Sequence, residues 1–208
     1  MYTIIEDCSP YYIRFTHNGV EKVINYFLNL GYDFDNLLAG KNMQFRHHAI
    51  TVLEAEEGLK LIPMNNLFNF KKKRVSYFVS EAGLYYPAHK DSAAEGRFGI
   101  NYGLKILDDK CVTSWYDEQE LSHYPEDPDS RSYLRGIIGF DKSKHLPVKT
   151  VTAVQGEVML FNTNLFHDWD NSNSPNTRTV LTLRPDAQIN SDQPEIFFED
   201  ARRIIFGY

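Results

Sequence analysis

The sequence predicts a mainly β protein with a double-stranded β-helix core, of the jelly-roll or cupin type, braced by N-terminal helices. Short strand-like segments recur along most of the chain and are separated by clusters of turn-forming residues, a pattern typical of β-sandwiches and barrels. Aromatic residues make up 14% of the chain, with 13 Tyr and 14 Phe, and they favour strands. A candidate metal-binding triad, His89, Asp91 and His167, would need an enclosed barrel interior to bring its members together.

The first predicted element is a helix over residues 18–30. Asn18 is a suitable N-cap, Glu21 follows three residues later, and an apolar face recurs at helical spacing. Gly31 is a natural stop signal behind the helix. Residues 44–63 are strand-like in composition, with a break at 56–58.

The remaining strands are expected in two groups separated by a loop. They cover residues 74–80, 84–89, 98–107, 111–115, 134–140, 148–154, 158–161 and 177–183. The intervening loop, 116–132, is acidic and contains two prolines, and it is either a lid or an inert surface loop. We expect a single domain over 1–208, with an N-terminal helix and flanking strands at 1–72, a jelly-roll core at 73–186 and a C-terminal extension at 187–208.

Charge, cysteine content and hydropathy indicate which partners and which cellular compartment to expect. A net charge of −6 argues against general nucleic-acid binding. With Cys8 and Cys111 as the only cysteines, the sequence predicts no disulfide framework and a reducing compartment. No stretch of 18 apolar residues occurs, so we expect a cytoplasmic protein without a membrane span. No feature of the sequence indicates an oligomeric state.

The candidate ligands begin with His89-Lys90-Asp91. On a strand, side chains alternate with period two, so His89 and Asp91 share one face. His167 follows a predicted turn and strand over 156–162 and precedes a second turn. Two imidazoles and one carboxylate form the facial triad that binds non-haem Fe(II) and leaves coordination positions open. Arg178, at the start of the next strand, has a guanidinium suited to binding a carboxylate.

These segments resemble the Fe(II)/2-oxoglutarate-dependent dioxygenases, in particular the aspartyl/asparaginyl and prolyl hydroxylase-like members. The resemblance rests on His89-x-Asp91, on residues 97–104, on 156–162 leading to His167, and on Arg178. It covers roughly residues 75–185. Val180 stands where many members of this family have a serine or threonine.

The resemblance implies an oxygenase that hydroxylates an unactivated carbon of a peptidyl or small-molecule substrate. Fe(II) would be bound by His89, Asp91 and His167, and the cosubstrates would be 2-oxoglutarate and O2. Arg178 would bind the distal carboxylate of 2-oxoglutarate, with Arg184 and Arg97 as weaker candidates for that contact. A cupin-type metalloenzyme that does not use 2-oxoglutarate, and a non-catalytic metal-binding module, remain as alternatives.

Strand alternation adds expectations for neighbouring side chains. Thr182 shares the face of Arg178 and could contribute a hydroxyl, and either Asn101 or Tyr102 faces the cavity, with Asn101 expected to bind the cosubstrate. Tyr86 lies three positions before His89, so simple alternation places it on the opposite face. The remaining histidines, among them His17, His123 and His145, are expected at the surface.

Overall fold

The computed structural model consists of two antiparallel β-sheets, with most of the described helices packed against one of them. It describes residues 1–31, 47–52, 55–68, 70, 75–91, 97–124, 134–136, 140–185 and 195–208, with the backbone alone for 47–51 and 134–136. This architecture confirms the predicted mainly β fold with a jelly-roll core.

The described part of the chain consists of short strands with a few helices between them. The strands are β1 Tyr2–Cys8, β2 Tyr12–His17, β3 His47–Thr51, β4 Val75–Ser80, β5 Tyr85–Asp91, β6 Phe98–Lys105, β7 Val112–Trp115, β8 Leu134–Gly136, β9 Lys149–Thr152, β10 Val158–Asn162, β11 His167–Asp170 and β12 Arg178–Leu183. The helices are α1 Val20–Leu28, α2 Ala55–Lys60, α3 Asn65–Phe68, α4 Glu118–Leu121 and α5 Phe198–Phe206. Within the described ranges, none of these helices combines the length and the hydropathy that a membrane span requires.

The strands form a seven-stranded major sheet and a five-stranded minor sheet. The major sheet has the order β1-β2-β10-β6-β12-β4-β3, and the minor sheet has the order β8-β5-β11-β7-β9. Strands β4 to β7 therefore alternate between the two sheets along the chain, and so do strands β9 to β12, whereas β7, β8 and β9 all belong to the minor sheet. This alternation is what brings distant segments of sequence together between the sheets.

The outer face of the major sheet carries the main hydrophobic core. Alternate residues of β6, β10 and β12 point into this core, where α1, α2 and α5 pack on the sheet. The residues between them in sequence point to the other face. A second apolar cluster combines Met159 and Phe161 of the major sheet with Trp115 and Val151 of the minor sheet, so the two sheets face one another across a shared interior.

The described start of the 116–132 loop lies on the outer face of the minor sheet. Tyr116 and Leu121 are buried there against Ala88 and Phe166. Asp117 caps α4 by accepting hydrogen bonds from the next backbone N–H groups. Residues 125–132 lie outside the described part of the chain, so the lid remains a prediction.

Several elements differ from the expectations from sequence. Residues 55–60 form α2, where the sequence predicted strand-like structure with a break at 56–58, and Glu56 and Glu57 occupy the first turn of this helix. The strands β1 and β2 were missed, and so were β11 and α5. Helix α1 begins later than expected, with Gly19 as its N-cap rather than Asn18.

The packing of α1 on the major sheet depends on Phe27. Its side chain is fully buried, and its backbone carbonyl accepts a hydrogen bond of 2.7 Å from the Tyr77 hydroxyl of β4. The ring also lies against Gly58 of α2, where an added Cβ would come within 2.5 Å of it. Phe27 thus connects two helices to the sheet.

We predict that Phe27→Ala lowers the free energy of unfolding by about 3–5 kcal/mol, because it leaves a cavity between α1, α2 and the sheet. Chemical denaturation measures this change. Asn25→Ala, on the exposed face of the same helix, serves as the matched control and should change stability by less than about 0.5 kcal/mol. Equal losses from both variants would show that Phe27 is not the main contact of the helix.

Candidate metal centre

The structure brings His89, Asp91 and His167 together in the interior. Strands β5 and β11 pair antiparallel, and His89 and His167 are direct partners in the register. All three residues are buried, and one ligand atom from each lies within 4.8 Å of the others. Asp91 Oδ1 is 3.6 Å from His89 Nε2 and 4.0 Å from His167 Nε2.

Both imidazoles are oriented by backbone carbonyl groups. His89 Nδ1 donates a hydrogen bond of 2.9 Å to the carbonyl of Pro87, and His167 Nδ1 donates one of the same length to the carbonyl of Leu165. With the proton on Nδ1, the lone pair of each ring is on Nε2, which faces the other ligands. This arrangement is typical of histidines that bind a metal through Nε2.

Burial keeps the two imidazoles uncharged. It lowers the pKa of His89 to about 3, with a further contribution from His167, and it lowers the pKa of His167 below its ordinary value. Both rings are therefore neutral at neutral pH, which is the state that binds a cation. The donor set fits a divalent metal with two nitrogen ligands and one oxygen ligand.

Aromatic rings surround the triad. Tyr86 contacts His89 edge to face at 4.7 Å between ring centroids and stacks on Trp169, and Phe161 contacts His167 at 6.1 Å. The expectation that Tyr86 faces away from His89 is wrong. A β-bulge between β5 and β11 pairs Tyr86 with Trp169, so that the alternation of β5 shifts at Pro87.

Arg178 lies on the interior face of β12 and is 6% exposed. It lines a cavity together with Asn101, Val180 and Met159, and Met159 belongs to the apolar cluster between the sheets. Its Nη1 donates a long hydrogen bond of 3.5 Å to Cys111 Sγ, and its Nε has no hydrogen-bond partner among the described residues. A buried guanidinium with such weak contacts is an anion-binding candidate.

The structure places Asn101, rather than Tyr102, on the interior face. Thr182 Oγ1 donates a hydrogen bond of 2.7 Å to Asn101 Oδ1, since the two residues are partners in the register of β6 and β12. Tyr102 points into the outer core, where its hydroxyl lies 3.0 Å from His17 Nε2. Asn101, Thr182 and Arg178 therefore share one wall of the interior.

Arg184 contacts the triad directly, which sequence reasoning missed. Its Nη2 lies 2.6 Å from Asp91 Oδ2, and Arg97 is instead paired with Glu195 at 2.6 Å. The spacing of Arg184 from Thr182 and Arg178 could have indicated this position, because period-two alternation along β12 and its continuation puts all three on one face.

Two of the other histidines are buried, contrary to the expectation that they are at the surface. His17 bonds Tyr102, and His145 lies 2.6 Å from a Glu120 carboxylate oxygen and 2.7 Å from the Tyr124 hydroxyl. His123 is exposed. Both buried rings lie outside the interior between the sheets.

Comparison with solved structures supports the fold assignment. A prolyl hydroxylase from Trichoplax adhaerens, in complex with a peptide of hypoxia-inducible factor, aligns with a TM-score of 0.51 and 12% identity over 89% of each chain. EvdO2 from Micromonospora carbonacea var. aurantiaca aligns with a TM-score of 0.50 and 11% identity over 88% of this chain and 92% of that one. At such identities the likeness shows the fold alone.

Sequence comparison adds no assignment. No protein-family model matches the chain, and no curated protein matches it.

The low pKa values of the imidazoles predict a metal affinity that is nearly independent of pH. Protons compete with the metal only when they occupy a histidine ligand. The pKa of both rings lies below the ordinary value of about 6.5. We expect the affinity for Mn²⁺, measured by electron paramagnetic resonance of the free ion, to change less than about threefold between pH 8 and pH 6. A loss approaching 100-fold per pH unit, beginning at the ordinary histidine pKa, would contradict the buried, neutral state of the two rings.

Proposed function

We propose that the protein is an Fe(II)- and 2-oxoglutarate-dependent oxygenase that hydroxylates an unactivated carbon of a peptidyl or small-molecule substrate. The observation that carries this proposal is the convergence of His89, Asp91 and His167 in an interior that also contains the buried guanidinium of Arg178. A metal site and a separate anion site in one interior are what a cosubstrate with a chelating end and a distal carboxylate requires.

The three ligands would hold Fe(II) through His89 Nε2, His167 Nε2 and Asp91 Oδ1. They leave coordination positions open for other ligands, as a facial triad does. When bound there with 2-oxoglutarate and O2, iron supplies the oxidant for attack on a C–H bond. The two Nδ1–H groups stay bonded to backbone carbonyls, so neither imidazole has a proton to give or take at the metal.

Arg178 would bind the distal carboxylate of 2-oxoglutarate. Its Nε lacks a hydrogen-bond partner among the described residues, and a carboxylate would satisfy this group and neutralise a buried charge. Asn101 lies on the same wall, and the Thr182 hydroxyl fixes its side-chain oxygen. The remaining N–H groups of the Asn101 amide are then available as donors to the same anion.

The aromatic side chains around the triad would exclude water. Tyr86, Trp169 and Phe161 pack on or near the two imidazoles, which leaves little polar surface beside the ligands. A dry site strengthens the binding of charged groups and protects reactive species from side reactions. The protein contributes geometry and exclusion of water, because no acid or base is required for the central step.

A cupin-type metalloenzyme that does not use 2-oxoglutarate is the less favoured hypothesis. Such enzymes draw three or four histidines from the barrel, whereas the described residues place two histidines at this site and bury His17 and His145 elsewhere. Formation of succinate that depends on 2-oxoglutarate separates the two readings. A non-catalytic module would bind metal and form no succinate.

The proposal predicts a weak visible charge-transfer band when Fe(II) and 2-oxoglutarate are added anaerobically. Arg178→Gln should weaken 2-oxoglutarate binding by roughly 30-fold or more, because a buried charge-assisted contact is lost. Arg202→Gln is a matched control, since that arginine pairs with Asp7 at the surface and should leave the titration unchanged. Failure of the wild-type protein to take up either iron or 2-oxoglutarate would exclude the proposed function.

A further inference from the structure

The two oxygens of the Asp91 carboxylate face different groups. Its Oδ1 faces the Nε2 atoms of His89 and His167, at 3.6 and 4.0 Å, while its Oδ2 lies 2.6 Å from Arg184 Nη2. The two oxygens thus point to different sides of the same interior. A carboxylate held in this way offers one oxygen, rather than two, to the position between the imidazoles.

Packing fixes Arg184 in this position. Its guanidinium lies over the ring of Phe161, at 4.8 Å from the centroid, and Gly99 of β6 lies against Nη1. A Cβ at position 99 would come within 2.3 Å of that nitrogen, so glycine makes the room that the guanidinium occupies. The side chain of Arg184 is 9% exposed, and the position of its charge is set by Phe161, Gly99 and Asp91.

Burial of the other two guanidinium nitrogens of Arg184 is unfavourable in free energy. Neither Nε nor Nη1 has a hydrogen-bond partner among the described residues. Buried N–H groups without acceptors cost free energy, and a buried ion pair adds little to stability compared with apolar packing. Stability of the fold is therefore a poor explanation for a guanidinium at this point.

The charges of the site suggest a better explanation for the burial of the Arg184 guanidinium beside Asp91. Asp91 and Arg184 form a pair of zero net charge, and an imidazole that binds a metal is neutral. A divalent metal would then keep its two positive charges, which a dianionic cosubstrate would balance. Without Arg184, the metal would already be partly neutralised by Asp91, and the site would attract a dianion less strongly.

We propose that Arg184 is a positioning residue that restricts Asp91 to binding the metal through one oxygen and biases the site toward an anionic chelating ligand. The proposal rests on the function proposed above and deepens it. Arg184 competes with the metal for Asp91, and it favours the dianion that binds after the metal. Its removal should therefore have effects of opposite sign on the two ligands.

The test compares wild type with Arg184→Gln, in which a neutral amide replaces the charge. Calorimetric titrations measure the affinity for Mn²⁺ alone, and then the affinity of the Mn²⁺-loaded protein for 2-oxoglutarate. We expect Mn²⁺ to bind more tightly, by on the order of tenfold, and 2-oxoglutarate to bind more weakly by a similar factor. Arg184→Lys, which keeps the charge, should move both affinities back toward the wild-type values.

Arg178→Gln is the matched control, since it removes another interior guanidinium that has no contact with Asp91. It should weaken 2-oxoglutarate binding and leave the Mn²⁺ affinity within about twofold of wild type. Circular dichroism of each variant establishes that it is folded. If the glutamine variant at 184 does not fold, the lysine variant is compared with wild type for the same pair of affinities. Because an ammonium lacks the fork of a guanidinium and holds Asp91 less firmly, Mn²⁺ should bind more tightly and 2-oxoglutarate more weakly, with both changes smaller than those expected for glutamine.

The outcomes distinguish failure of the proposal for Arg184 from failure of the proposed oxygenase function. Parallel losses of both affinities in Arg184→Gln would indicate a purely structural ion pair, and unchanged affinities would indicate no role in either step; each result overturns the proposal. If wild type binds Mn²⁺ but not 2-oxoglutarate, the proposed function fails, and the Mn²⁺ titration alone then decides whether Arg184 competes with the metal for Asp91.

Discussion

The antiparallel pairing of β5 with β11 is the constraint on which the candidate site depends. It makes His89 and His167 direct partners although 77 positions separate them in sequence, and the alternation of β5 then adds Asp91 on the same face. The β-bulge at Pro87 turns Tyr86 to that face as well, where it stacks on Trp169. One strand pair thus supplies the ligands and part of the apolar wall that keeps them dry.

Strand β12, in the facing sheet, contributes buried positive charge to the same interior. Arg178 and Arg184 extend from one face of this strand and its continuation, and Thr182 between them bonds Asn101. Buried guanidinium groups with unsatisfied nitrogens are costly to a folded protein. Their presence in the same interior as a neutral pair of imidazoles is explained if anions and a cation complete the site.

Local patterns in the sequence predicted much of the core and of the site. The His-x-Asp spacing and the alternation of Arg178 with Thr182 depend on a period of two, which a strand enforces without reference to the rest of the fold. The position of Tyr86 was wrong because a bulge is set by pairing with a second strand, which period-two counting cannot include. Arg184 was named only as a weaker candidate for the cosubstrate contact, and its contact with Asp91 was not predicted because the two residues are distant in sequence and adjacent only after the sheets close. Strand β1 was missed because it lies at the edge of its sheet and alternates between half-buried and exposed residues, a weak apolar signal.

Anomalous diffraction from a crystal soaked in Mn²⁺ would locate the metal. We expect one strong peak in the interior, at about 2 Å from His89 Nε2, His167 Nε2 and a single oxygen of Asp91, with the second oxygen still against Arg184. Absence of a peak between the two imidazoles, in a crystal whose protein retains this fold, would contradict the metal centre and every function built on it.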